Sequence, residues 1–186
     1  MDKLLTDLRI TIAVGVLLAV GLMFAPYYAP PSAALGAFQW LHVFFGITWI
    51  GLLYYFNFVQ IPTMPSIPAE LKPGVSKYIA PKALFYFRWA AAFTVLTGLI
   101  LAWLYGELVE ALTFKEPARL IGIGMYLALI MAFNVWFIIW PNQKKALGLV
   151  PADDATKAKA ARVAMLASRT NTLLSIPMLL AMTTAR

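Results

Sequence analysis

The chain has 186 residues, of which 62% are hydrophobic and only 12% are charged, against roughly a quarter charged in soluble domains. A soluble domain of this length could not bury so much apolar surface, so the composition indicates one membrane domain over residues 1–186. The net charge of +7 lies in short loops between apolar runs, which favours the positive-inside rule over a nucleic-acid surface. The absence of cysteine excludes disulfides, cysteine-ligated metals and covalently attached c-type haem.

Five apolar segments can cross a bilayer, at about residues 8–27, 37–61, 83–105, 120–140 and 164–185. Pro62 is expected to end the second segment, Pro81 to precede the third and Pro141 to end the fourth. The fifth segment is interrupted by the polar residues 168–172, and Pro177 is expected to bend it. The predicted fold class is all-α, an integral membrane helical bundle with about five transmembrane helices.

Lys and Arg residues alternate between the two sides of this predicted bundle. The N-terminus and the second and fourth loops are basic, the first loop is uncharged, and the third is balanced by Glu. The positive-inside rule then places the N-terminus in the cytoplasm and the C-terminus outside. A cleaved signal peptide is the alternative for the first segment, but Asp2 and Asp7 are unusual in such a start.

His42 is the only histidine and lies about one turn inside the outer end of the second predicted helix. At 100° per residue it shares a stripe with Gly46 and Trp49. A histidine above a glycine lets a flat ring approach the helix, as in haem-binding bundles, so His42 is the candidate metal ligand. The alternative is a hydrogen bond to a neighbouring helix. Met182 has a similar predicted depth and is the candidate second ligand; water or another subunit remains possible.

Polar side chains form a second candidate site in the cytoplasmic half. Ser168, Asn171, Thr172 and Ser175 share one face of the fifth helix, as helix–helix contacts or as a cavity lining. Arg169 needs acceptors at its depth, whereas snorkelling explains Arg88. The alternatives are a structural polar cluster and a site for an anion or a planar polar molecule. Its candidate residues are Asn57, Gln60, Arg88, Asn134, Arg169 and Asn171.

Acidic residues are absent from the interior of every predicted helix. Cation-coupled carriers usually need a buried carboxylate, so a proton or sodium transporter is disfavoured. No catalytic residue is identified by these patterns, and whether the chain is an enzyme stays open.

Four ordered runs carry a family resemblance. WLHVFFGITWIGLLYYFNFVQIPTMP (40–65), LFYFRWAAAFTVLTG (84–98), IMAFNVWFIIWPNQKKALG (130–148) and SRTNTLLSIPM (168–178) resemble the membrane domain of the bacterial PuuD-type urate oxidase (urate hydroxylase) family. The run LHxxxGxxWxGxLYY, from Leu41, is also similar to the histidine-bearing helix of HemJ-type haem-binding membrane proteins.

The resemblance implies a bacterial inner-membrane redox protein tied to urate oxidation and strengthens the expectation of haem b at His42. In the family a c-type cytochrome usually follows the membrane domain, and this sequence has no CxxCH motif. Electrons would then pass to a separate cytochrome. The alternative is a non-catalytic accessory subunit, packed in the bilayer against other membrane subunits of a respiratory or photosynthetic complex.

Overall fold

The computed structural model describes residues 5–25, 30 and 32–185. Within these residues the chain is helical and has no strand, which confirms the all-α prediction. We number the helices α1 to α6: Leu8–Met23, Ala33–Ser66, Lys72–Leu104, Leu108–Leu112, Arg119–Ala146 and Asp154–Thr184. Helices α2, α3, α5 and α6 are long and apolar enough to cross a membrane, at 34, 33, 28 and 31 residues.

Helix α1 is shorter than the predicted segment 8–27, because it ends at Met23. Residues 26–29 lie outside the described residues. Its 16 residues span about 24 Å at 1.5 Å per residue, less than the roughly 30 Å of a bilayer core. None of its residues is buried, so α1 adds nothing to the core, and the fifth span stays a prediction.

The three prolines that were expected to mark helix boundaries lie inside continuous helices. The boundaries predicted from them are therefore wrong. Each proline is the second residue after a π-helical segment; the segments are Tyr55–Gln60 before Pro62, Val75–Ile79 before Pro81 and Asn134–Ile139 before Pro141. In an α-helix, proline lacks the N–H for the bond to residue i−4, and its ring clashes with that carbonyl. The wider π turn relieves both constraints, so the helix continues past the proline.

Helix α6 begins at Asp154, ten residues before the predicted start at residue 164. Asp153 caps it: its Oδ1 accepts from the Thr156 N–H at 2.8 Å, and its Oδ2 accepts from the Thr156 hydroxyl at 2.7 Å. These bonds hold the pKa of Asp153 below its usual value. The helix then runs through Pro177 to Thr184.

The four long helices form a bundle in which α2 packs along α3, and α5 packs along α6. The core between the two pairs contains fully buried Trp49, Leu53, Met131 and Val135. Residues 67–71 and 147–153 connect helices at one end of the bundle, called the lower end below. The short helix α4 lies at the opposite, upper end, where the carbonyl of Ala111 packs directly on Gly122 of α5.

Candidate functional site

A cavity of about 380 Å³ lies among the four long helices at the upper end. Its lining is mainly apolar and includes all four predicted cofactor residues: His42, Gly46, Trp49 and Met182. The fold therefore brings the start of α2 and the end of α6, far apart in sequence, to one cavity. Trp49 is fully buried, and its indole Nε1 has no acceptor among the described residues.

The imidazole of His42 is anchored through one nitrogen. Its Nδ1 lies 2.9 Å from the carbonyl oxygen of Thr94 on α3, and the Thr97 hydroxyl is a longer contact at 3.4 Å. A carbonyl can only accept, so Nδ1 carries the proton and Nε2 of the neutral ring keeps its lone pair. In the described part of the chain Nε2 has no hydrogen-bond partner. Histidines that ligate metals use this arrangement, because the second nitrogen is held by a carbonyl or carboxylate.

Gly98 of α3 is the residue against which the His42 ring rests. A Cβ atom at position 98 would lie 2.8 Å from Cε1 and 3.1 Å from Nδ1 of the ring. Gly46, singled out from the sequence, instead faces α3 near Thr94, where a Cβ at position 46 would lie 3.9 Å from Cγ2 of Thr94. Sequence reasoning missed Gly98, although the run Thr94, Thr97, Gly98 is a small and polar interruption of an apolar helix.

Three methionines line the cavity, of which only Met182 was predicted. Met125 of α5 and Met178 of α6 complete the set. A Cβ on Gly124 would lie 3.3 Å from Cε of Met182, so this side chain packs on α5 while it borders the cavity. The spacing of four residues between Met178 and Met182 is the sequence signal that could have indicated both.

Polar side chains link α6 to α2 in the lower half of the bundle. The amide of Asn57 donates to Ser168 Oγ at 2.7 Å and to the Leu53 carbonyl at 2.9 Å. The Tyr54 hydroxyl and Ser175 Oγ are 3.0 Å apart. These groups on facing helices bond to one another, which is the helix–helix role expected for the stripe. The side-chain oxygen of Asn57 is enclosed and has no donor among the described residues.

A second pair of bonds links α6 to α5. Asn171 is fully buried; it donates to the Met131 carbonyl and accepts from the Asn134 amide, both at 2.9 Å. These side chains are occupied with each other, so they hold the bundle together and leave little capacity for a ligand.

The prediction that Arg169 is paired inside the protein is wrong. Ser168 and Asn171 face the interior, and Arg169, one residue and 100° around the helix from Ser168, is exposed. No hydrogen bond or ion pair to it is found within residues 5–25, 30 and 32–185. Its long side chain can extend along the helix to a polar region, and Arg169 lies outside the hydrogen-bonded cluster that contains Ser168 and Asn171.

Arg88 is the arginine that the bundle holds. Its Cζ lies 3.3 Å from the ring centroid of Trp140 and 5.9 Å from that of Trp136, both on α5. Its Nε and Nη1 are enclosed and have no acceptor. The side-chain oxygen Oε1 of Gln60 is also enclosed and has no donor. Snorkelling alone, the explanation from sequence, is therefore incomplete. The four-residue spacing of Trp136 and Trp140 is the sequence signal that could have indicated this contact.

The described residues contain no group of three or more His, Cys, Asp or Glu side chains that could hold a metal ion. A single histidine can serve only a metal that brings most of its own ligands, as porphyrin iron does.

Comparison with known proteins relates one part of the chain to a family. Residues 103–186, a little under half the chain, match the family model described as urate oxidase N-terminal. The match includes Asn134, Asn171 and Met182 but neither His42 nor Arg88. No curated protein and no solved structure matches the chain. The end of α3 and helices α4 to α6 are therefore similar to the N-terminal part of urate oxidases.

Proposed function

We propose that this chain is a membrane redox protein that holds haem b in the upper cavity, with His42 as an axial ligand. The observation that carries the proposal is the state of the imidazole: Nδ1 is bound to the Thr94 carbonyl, and Nε2 keeps a lone pair beside a cavity. Haem would supply one-electron chemistry there. The protein would hold the ring orientation fixed and keep bulk water away.

The cavity has properties that suit a large apolar group. Its lining residues come from all four long helices and are mostly aliphatic. The lining residues that are exposed all belong to α2 and α6; they are Gln39, Val43, Ile47, Leu179 and Thr183. A flat group could therefore enter between α2 and α6. The thioethers of Met125, Met178 and Met182 also border the cavity, and we propose that Met182 would be the second residue to hold the iron.

The match of residues 103–186 to the urate oxidase N-terminal family supports a role tied to urate oxidation. We place the chain in the bacterial inner membrane with its basic lower end in the cytoplasm, since Lys144 and Lys145 end α5 there. The cavity then lies near the outer face. Electrons would leave to a separate c-type cytochrome on that side.

The test is the visible spectrum of the purified full chain after expression with ample haem. The parent is expected to show a Soret band, and His42→Ala is expected to lose at least about nine tenths of it, because an axial ligand is removed. Gln39→Ala is the matched control, because Gln39 also lines the cavity and is expected to keep the band. A parent without a Soret band, or a His42→Ala variant that retains it, contradicts the proposal.

The second candidate function is a non-catalytic accessory subunit of a larger membrane complex. The observation in its favour is α1, an apolar helix of which no residue is buried. Such a helix needs either lipid or another membrane subunit along its length. A haem-free parent that loses a co-purifying subunit when residues 1–25 are deleted would favour this function over the redox role.

A further inference from the structure

Two cationic side chains lie against one indole at the lower end. The ring centroid of Trp140 is 3.3 Å from Cζ of Arg88 and 5.6 Å from Nζ of Lys144. The two cationic groups are therefore no more than about 9 Å apart, the sum of these two distances. Like charges at this separation repel, and more strongly where water is partly excluded.

Among the residues that the structure describes, no ion pair supplies a counter-charge for this pair. The ion pairs that these residues form are Arg119 with Glu116 and Lys157 with Asp154. Asp153, in the loop before α6, is occupied in capping that helix. Arg88 and Lys144 are thus left without an anion by the part of the chain that the structure describes.

Unpaired hydrogen-bond donors surround the same place. Nε and Nη1 of Arg88 and Nε1 of Trp136 are enclosed and have no acceptor. Enclosed polar groups in proteins are nearly always paired, so the hydrogen bonding of Arg88 is incomplete among the described residues. Nη2 of Arg88 is not among the enclosed atoms, so the guanidinium keeps one nitrogen accessible from outside the bundle.

The depth of the site suggests where an acceptor would come from. Trp140 and Lys144 lie in the last two turns of α5, beside the basic loops of the lower end. Tryptophan prefers the headgroup level of a bilayer, and juxtamembrane lysine attracts anionic lipids. A guanidinium binds phosphate through paired N–H donors, and lysine adds a flexible charge.

We infer that Arg88, Lys144 and Trp140 form a site for the phosphate group of an anionic membrane lipid. The headgroup phosphate accepts from Arg88 and Lys144, the indole of Trp140 holds the guanidinium in place, and the acyl chains lie along the apolar outer face of the bundle. This site is at the opposite end from the haem cavity and does not depend on it.

The experiment is native mass spectrometry of the full chain in detergent, titrated with phosphatidylglycerol and, separately, with phosphatidylethanolamine. The parent is expected to retain phosphatidylglycerol at least about tenfold more tightly than phosphatidylethanolamine, because both lipids carry the phosphate but the ammonium of phosphatidylethanolamine is repelled by the two cationic side chains. Arg88→Gln and Lys144→Gln are each expected to remove most of this preference. Arg169→Gln is the matched control, because Arg169 is exposed and has no indole partner.

Four further outcomes of these experiments would each decide whether the lipid site exists. Equal retention by the parent, Arg88→Gln and Lys144→Gln would overturn the site. If Arg88→Gln does not fold, Lys144→Gln decides alone, since Lys144 lies at the rim. If inorganic phosphate at millimolar concentration displaces the lipid and raises the unfolding temperature equally, the occupant is a soluble anion and the lipid assignment fails. If Arg88→Gln lowers that temperature in every lipid alike, the arginine serves an internal network with Gln60.

Discussion

At the scale of single residues, the seat of the His42 ring on Gly98 is the contact most open to a test. A Cβ at position 98 would lie 2.8 Å from Cε1 of His42, closer than carbon atoms can approach. The ring must then turn, which breaks its bond to the Thr94 carbonyl. Gly98→Ala is therefore expected to lower haem occupancy several-fold while the helices stay folded.

The measurement is the Soret absorbance per polypeptide, with circular dichroism as the check on folding. Gly51→Ala is the control, because nothing lies within 4 Å of a Cβ at that position. Full haem occupancy in Gly98→Ala would show that the ring position does not govern binding.

Asn171 and Arg169 are expected to differ sharply in their effect on stability. Asn171→Ala removes two buried hydrogen bonds to α5 and leaves the side-chain amide of Asn134 without its acceptor, a cost of about 1–3 kcal/mol. Arg169→Leu changes an exposed side chain and is expected to alter the free energy of unfolding by less than about 0.5 kcal/mol. Reversible denaturant unfolding in mixed micelles compares the two. Similar losses of unfolding free energy in the two variants would show that Arg169 is paired in the interior.

Some residues of the candidate sites could be identified from the sequence, and others could not. His42 was identified because an isolated ionisable group in an apolar helix is conspicuous. Arg88 and Arg169 were harder to separate, because which one faces inward depends on the rotation of each helix. That rotation is set by packing against neighbours, here by Trp140 for Arg88 and by Asn171 for the face opposite Arg169. Gly98 was missed because its partner is on another helix.

At the scale of helices, apolar runs predicted where four long helices lie but not where they end. Polar extensions such as the first turns of α6 continue a helix without adding apolar residues, so hydropathy does not detect them. The helix ends predicted at the three prolines were wrong for a different reason. A π-helical segment precedes each proline, and its wider turn lets the helix continue without the hydrogen bond that proline cannot donate. Helix α4 has five residues, too few to produce a periodic pattern.

The start of α6 is expected to depend on pH. The bonds from Thr156 lower the pKa of Asp153, so the ionised cap stabilises the helix at neutral pH. That contribution is lost as the pH falls below the ordinary aspartate pKa of about 4 and through the lower value in the folded state. Amide exchange at Thr156 is expected to accelerate over this range. In Asp153→Ala it should be fast already at neutral pH; slow exchange in that variant would show that the cap is dispensable.

At the scale of the whole molecule, the proposed orientation in the membrane rests on the basic lower end. The chain has no cysteine, so single cysteines can be introduced without background labelling. Ser32→Cys, before α2, and Lys157→Cys, near the start of α6, are expected to lie on opposite sides of the membrane. Ser32→Cys is therefore expected to be labelled in spheroplasts, and Lys157→Cys in inside-out vesicles. A membrane-impermeant maleimide reports the side. Labelling of both from one side would refute the predicted topology.

The central claim for the whole molecule is that four helices enclose a cavity in which the Nε2 of His42 binds haem iron. The most direct test is to supply the missing ligand from solution. The account predicts that His42→Ala, purified without a Soret band, regains it when haem is added together with imidazole, and that haem alone or imidazole alone has no such effect. A His42→Ala variant that keeps the parental spectrum, or a parent that never acquires one with ample haem, would contradict it.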